Sequence, residues 1–166
     1  MRCAVTTTAA GLSWAVKDRL VSYVETLPDG VVEVLPPATR SEVGFWFPWA
    51  DTADSDVVSF EGTLHFHGAV RLSGHWGALD VELRNPRVEL GGLQGRLLVR
   101  DRGSRNPDAM LPFADLALGE LAGRADGAPI EVAASLTGHG RLLLGGQYRA
   151  GEPLSPLRIT FPPRHG

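Results

Sequence analysis

A mainly β, antiparallel architecture is what this 166-residue chain predicts: a sandwich or distorted barrel with one N-terminal amphipathic helix at its edge. Three observations carry that expectation. Apolar residues recur with period two over much of the chain. A helical period of 3.6 is strong only once, near the N-terminus. Turn-forming pairs, Pro36-Pro37, Asn85-Pro86 and Gly91-Gly92, cut the β pattern at close intervals.

The helical reading spans Leu12 to Leu27, where Val16, Leu20, Tyr23, Val24 and Leu27 fall on one stripe and Lys17, Asp18, Ser22 and Glu25 lie elsewhere. Ser13 is the expected N-cap and Pro28-Asp29-Gly30 the stop. Strands are then expected over Val31 to Leu35, Gly44 to Phe47, Val57 to Ser73, Leu79 to Leu83, Arg87 to Leu90 and Gln94 to Val99. In the longest, Phe60, Gly62, Leu64, Phe66, Gly68, Val70 and Leu72 point one way; Glu61, Thr63, His65, His67, Ala69 and Arg71 point the other. Arg100 to Ala109 reads as a polar loop, followed by strands at Pro112 to Leu118 and Ile130 to Leu136. Thr137 to Gly146 fits a short second helix or a strand, and Arg158 to Phe161 closes the sheet. No repeat or linker marks a second unit, so residues 1–166 are read as a single domain with its core at about 11–161.

The bulk properties exclude more than they assign. Net charge is −3 and the cations are nearly all arginine, Lys17 being the one lysine. No clustered positive surface is in view, which argues against nucleic acid as a partner. Cys3 is the only cysteine, so no disulfide can form within the chain. Met1-Arg2-Cys3-Ala4-Val5 runs directly into Thr6-Thr7-Thr8, with no apolar stretch of signal-peptide length and no membrane-spanning window anywhere. As written, the chain reads as soluble and cytoplasmic.

The stretch from Phe66 to Val81 departs from the plain β pattern. Its alternation breaks at Gly74-His75-Trp76-Gly77 and then resumes, setting a histidine and an aromatic on a glycine-flanked bend. Together with Leu12-Ser13-Trp14-Ala15-Val16-Lys17 and Tyr23, this stretch resembles the HtaA haem-binding domain family of actinobacterial iron acquisition. That family shows an L-S-W-x-V-K helix start, an F-x-G-x-V-x-F-x-G-H-x-G-x-L-x-V core, and a tyrosine-bearing ending before a D/S-P strand. Here the ending is Gly145-Gly146-Gln147-Tyr148-Arg149-Ala150-Gly151 ahead of Leu154-Ser155-Pro156, with Gln147 where the family often has an aromatic.

The resemblance implies a haem-binding protein whose cofactor is haem b, Fe(III) protoporphyrin IX, acting in capture, transfer or buffering. Its partners would be haem and a haem donor or acceptor protein. It also implies roles. Tyr23 occupies the position of the axial iron ligand, and a phenolate is a hard anionic donor suited to ferric iron. His75 is the hydrogen-bond donor that supports the phenolate. Tyr148 matches the second family tyrosine. Trp76 is an aromatic able to cover a flat ligand, and Arg19, one helical turn before Tyr23, is placed to neutralise phenolate or propionate charge. Family members are commonly exported or surface-anchored, so an exported protein is the alternative location.

Each of these residues also has a plainer reading: Tyr23 as a core tyrosine, His75 as a turn-stabilising histidine, Arg19 as an exposed helix arginine. His65 and His67 at i, i+2 suit a metal, yet no further ligand completes a set, so they read as solvent-facing. His139 and His165 carry no role, and Asp51, Asp54 and Asp56 read as a solvated turn. No nucleophile elbow, phosphate loop, H-E-x-x-H or C-x-x-C is present, so the chain is not read as an enzyme. The rival functions are a haem-dependent or haem-degrading enzyme, and a β-sandwich interaction module without cofactor.

Overall fold

Alternation of buried and exposed side chains builds two antiparallel sheets whose inner faces meet. The computed structural model describes residues 10–42, 44–50, 54–56, 61–91, 94–117, 130–144, 146 and 148–160. The readings made at Cys3, Asp51, Val57 to Phe60, Leu118, Gln147, Phe161 and His165 lie outside the described residues. In chain order the elements are β1 (Gly11–Trp14), α1 (Asp18–Thr26), β2 (Val31–Leu35), β3 (Thr39–Ser41), β4 (Gly44–Pro48), β5 (Asp54–Asp56), β6 (Glu61–His65) and β7 (Ala69–Gly74). A single 3-10 turn, His75–Gly77, leads into β8 (Leu79–Arg84), β9 (Arg87–Gly91), β10 (Gln94–Arg100), β11 (Met110–Ala117), β12 (Ile130–Leu136), α2 (Gly138–Leu143) and β13 (Pro153–Thr160).

Ten strands form one sheet in the order β3-β4-β1-β13-β12-β11-β10-β9-β6-β5, and three form a second in the order β2-β7-β8. The large sheet ends on β3 and β5 without closing, so the sandwich alternative holds and the barrel does not. Leu64, Val88, Leu97, Val99 and Phe113 from the large sheet and Val70, Leu72, Val81 and Leu83 from the small one share a single core. Trp14 is buried at its centre, edge-on to Phe113 with centroids 5.8 Å apart, and its indole N–H donates to the Ser155 carbonyl at 2.8 Å.

The N-terminal helix is shorter than the sequence predicts. Gly11–Trp14 is a strand held on both sides, Leu12 facing Phe47 on β4 and Ile159 on β13. Val16 then adopts φ 62, a left-handed turn that a β-branched residue enters only when its surroundings impose it. Its carbonyl accepts from Ser155 N–H at 2.9 Å and its side chain is fully buried, which supplies that imposition. The helix begins only at Asp18. Lys17, not Ser13, is the N-cap, through its backbone carbonyl alone, which takes the N–H groups of Leu20 and Val21 at 3.0 and 3.1 Å. Asp18 in the first turn complements the helix dipole. Leu20, Val21 and Val24 form the buried stripe, worth roughly 1.5–3 kcal/mol for each side chain buried in full. The expected stop holds: Leu27 is extended, and Gly30 N–H closes on the Leu27 carbonyl at 3.1 Å.

The run expected as one long strand from Val57 divides at Gly68 into β6 of the large sheet and β7 of the small one. Gly68 has φ +112, and a Cβ there would lie 2.5 Å from that of Ala38, so only glycine lets the chain cross between layers. Leu64, Phe66, Val70 and Leu72 face inward as the alternation predicts, though Ala69 is buried as well. β3 and β5 were not anticipated. Asp54–Asp56, read as a turn, pairs as an edge strand with Glu61–Thr63. Thr137–Gly146 resolves into α2, with the Thr137 hydroxyl accepting from Gly140 N–H at 2.9 Å as an N-cap, and β13 starts at Pro153 rather than Arg158.

Candidate functional site

At one end of the sandwich, α1, the turn after β7 and the segment after α2 converge on a cavity of about 320 Å³ lined by Leu20, Tyr23, His75, Ala78, Leu79, Leu144 and Tyr148. The floor is aliphatic. The polar groups are two phenols and an imidazole, a lining of the kind that holds a largely apolar ligand and orients it with few contacts. Three of the predicted site residues meet here, from positions far apart in the chain.

Tyr23 lies on the outer edge of α1, 46% exposed, in contrast to the buried Leu20 and Val24 around it. The core-tyrosine reading therefore does not hold. Its hydroxyl is hydrogen-bonded to His75 Nε2, and the rings tilt at 41° with centroids 5.5 Å apart. With a neutral phenol the O–H donates to Nε2. With a phenolate the direction reverses and Nε2–H donates to the oxygen. The pair can hold one proton in either arrangement.

The backbone that presents His75 is strained. His75 and Trp76 have φ 51 and 55, consecutive left-handed residues without glycine's freedom. Successive amides in that conformation point into one concavity, which suits an anion. Asp29 fills it: its carboxylate accepts the N–H of His75 at 3.1 Å and that of Trp76. The Ala78 N–H to His75 carbonyl bond, 3.0 Å, closes the turn. Sequence reasoning assigned Asp29 only to the helix stop. Its place in a Pro-Asp-Gly turn gave no sign that the side chain would reach forty-six residues along the chain.

β7 and β8, which flank this turn, are fixed on their outer face by Asp80, bridged by Arg71 at 3.0 Å and by Arg102 at 3.1 Å. Hydrogen bonds from these guanidiniums hold its carboxyl below the usual carboxylate range.

Tyr148 forms the opposite wall and is half-buried against the core. Burial pushes its phenol up from the ordinary tyrosine value; the charge of Glu152 adds to the effect and that of Arg19 opposes it. Lys17 Nζ sits 5.1 Å from the centre of the Tyr148 ring and is itself held by Glu152 at 3.1 Å and the Pro153 carbonyl at 2.9 Å. Lys17 is a second residue whose placement the sequence did not reveal.

Two predicted contributors lie apart from the lining. Trp76 is 84% exposed and points out of the turn. Arg19 is exposed on α1, and the charge it contributes is felt at Tyr148.

The Htaa family model (HtaA) matches residues 9–160. The chain belongs to the HtaA family. Among solved structures, this HtaA-family chain is similar to the C-terminal domain of HtaA from Corynebacterium glutamicum, with a TM-score of 0.75 and 21% identity, covering 90% of this chain and 93% of that one. It is likewise similar to the N-terminal domain of that protein, TM-score 0.73, 22% identity, covering 93% and 99% of the two chains. A third is the heme binding protein HtaB from Corynebacterium glutamicum, TM-score 0.68, 19% identity, covering 90% of each. At these identities the likeness establishes the fold. No curated protein matches the chain in sequence.

Proposed function

We propose that this HtaA-family chain binds ferric haem b at the cavity between α1 and the His75 turn, with the Tyr23 phenolate as axial ligand and His75 as the group that supports it. The observation that carries the reading is the Tyr23–His75 hydrogen bond at the mouth of an aliphatic cavity. Family membership and the likeness to a heme binding protein support the ligand class.

The residues present fit such a ligand. Tyr23 is accessible enough to reach a metal, and its partner is aligned to take the phenolic proton and return a hydrogen bond. Leu20, Ala78, Leu79 and Leu144 offer an apolar surface to a macrocycle. Asp29 accepts the N–H groups of His75 and Trp76 and so braces the turn from which the imidazole meets Tyr23. Haem supplies the ferric iron, a Lewis acid that favours the phenolate over the phenol. A binding role in capture, transfer or buffering of haem follows, with a donor or acceptor protein as partner. Among the described residues no helix is long and apolar enough to cross a membrane.

Titration with hemin, followed by absorption, tests the assignment. The expected product is a high-spin, five-coordinate ferric spectrum with a tyrosinate charge-transfer band, and Tyr23→Phe removes it. An unchanged spectrum and near-equal affinity in that variant would overturn the ligand assignment.

A further inference from the structure

At the other end of β7 from His75 lies a second, smaller cavity that shares no residue with the first. It has a volume of about 160 Å³ and is lined in part by His65, His67, Arg87, Arg100 and Asp108. On the large sheet His65 pairs with Arg87, and Arg87 with Leu98, so Arg100, two residues on, stands on the same outer face. Leu64, Val88 and Val99 take the inner face. The polar loop between β10 and β11 is closed by Asp101 N–H on the Ala109 carbonyl at 2.8 Å, and it brings Pro107 and Asp108 to the cavity wall.

The two arginines are the anomaly. Arg87 Nε and Arg100 Nε are buried and have no hydrogen-bond partner, and neither guanidinium has an ion pair among the described residues. A buried N–H left unmade is costly, more so on a charged group, and diagonal cross-strand like charges repel. Among the described residues of the wall the single carboxylate is Asp108, one negative charge against two guanidiniums. A guanidinium presents its donors in a planar fork that matches two oxygens of one anion.

We propose that this cavity is a binding site for a small oxyanion, a carboxylate or a phosphate, taken between Arg87 and Arg100. The site is independent of the haem reading. Oxygens of the ligand would accept from the terminal N–H groups of the two guanidiniums and offset the repulsion between the two cations. The volume admits an anion of a few heavy atoms rather than a macrocycle.

The test is calorimetric titration of the full chain with inorganic phosphate and, separately, acetate, against chloride at equal ionic strength. Saturable, single-site binding of either anion is expected, and which one binds tells phosphate from carboxylate recognition. Arg87→Gln and Arg100→Gln should each weaken it about tenfold or more, and Tyr23→Phe should leave it unchanged. Arg87→Lys, which keeps the charge and loses the fork, serves if the glutamine variants do not fold, and should also bind more weakly. Absence of saturable binding of both anions up to tens of millimolar overturns the proposal. So does binding that these arginine substitutions leave intact or that Tyr23→Phe abolishes.

Discussion

The two walls of the cavity between α1 and the His75 turn each present a tyrosine, and the contrast between them bears on which phenol is placed to serve as a metal ligand. Tyr23 is half exposed on a helix edge and hydrogen-bonded to a histidine that can take its proton. Tyr148 is half-buried, faces a lysine over its ring, and is pushed toward the neutral form by burial. A phenol becomes a metal ligand by losing a proton. Burial of Tyr148 opposes that loss, whereas the hydroxyl of Tyr23 has an imidazole nitrogen within hydrogen-bond reach.

The largest expected effect breaks the comparison at its strong side. Tyr23→Phe keeps the ring and the helix but removes the donor atom, so hemin affinity should fall by more than the roughly 100-fold upper end typical of losing a supporting group. A titration of this variant beside Tyr148→Phe reads both walls at once. His75→Ala comes next, with affinity reduced about 10- to 100-fold and a steeper pH dependence between about pH 6 and 9, because the phenolate loses its hydrogen-bond donor. If His75→Ala matches wild type at every pH while Tyr148→Phe shows the loss, the two walls exchange roles.

A smaller effect is expected one step further out. Asp29→Ala leaves the N–H groups of His75 and Trp76 without an acceptor and releases two left-handed residues, at a cost of about 1–3 kcal/mol in stability by chemical denaturation. Hemin affinity should fall several-fold, and Asp29→Asn should recover part of both losses. An Asp29→Ala protein as stable as wild type would mean that the turn holds itself.

Tyr148→Phe should change hemin affinity least, within about threefold, since it keeps the ring against the core and removes a hydroxyl that stays protonated. Its ionisation gives the last test. In Tyr23→Phe only this phenol remains, and its ultraviolet titration should have a midpoint above the reference value of about 10. Because the folded value lies above the unfolded one, the contribution of Tyr148 to stability is fully present below about pH 10 and lost as pH rises through the folded value. A midpoint at or below the reference would show that burial does not govern it.

Much of this contrast was written locally. The apolar stripe of α1 marks Leu20 and Val24 as inward, and Gly74-His75-Trp76-Gly77 marks a bend, because helix period and glycine placement are properties of a few adjacent residues. The sequence pattern carries the helix back to Leu12 because Leu12 and Val16 also suit a helical stripe, and only pairing with β4 and β13 makes Gly11–Trp14 a strand. Asp29 and Lys17 were not legible as site residues. Their partners lie 46 and more than 100 positions away, and a turn aspartate or a helix-flanking lysine looks the same whether or not it finds one. Trp76, expected over the ligand, stands in solvent because the left-handed bend that turns His75 inward turns its neighbour out.

By itself the sequence determined the β class, most strand positions, the family, and the candidates Tyr23, His75 and Tyr148, since periodicity, turn chemistry and motif spacing are short-range signals. The tertiary structure alone decided that Asp29 holds the turn, that Gly68 passes the chain from one sheet to the other, and that Arg87 and Arg100 share a pocket. Those outcomes depend on strand order and on the crossing between layers. Such contacts are fixed by the burial of one shared core, which no local stretch of chain encodes alone.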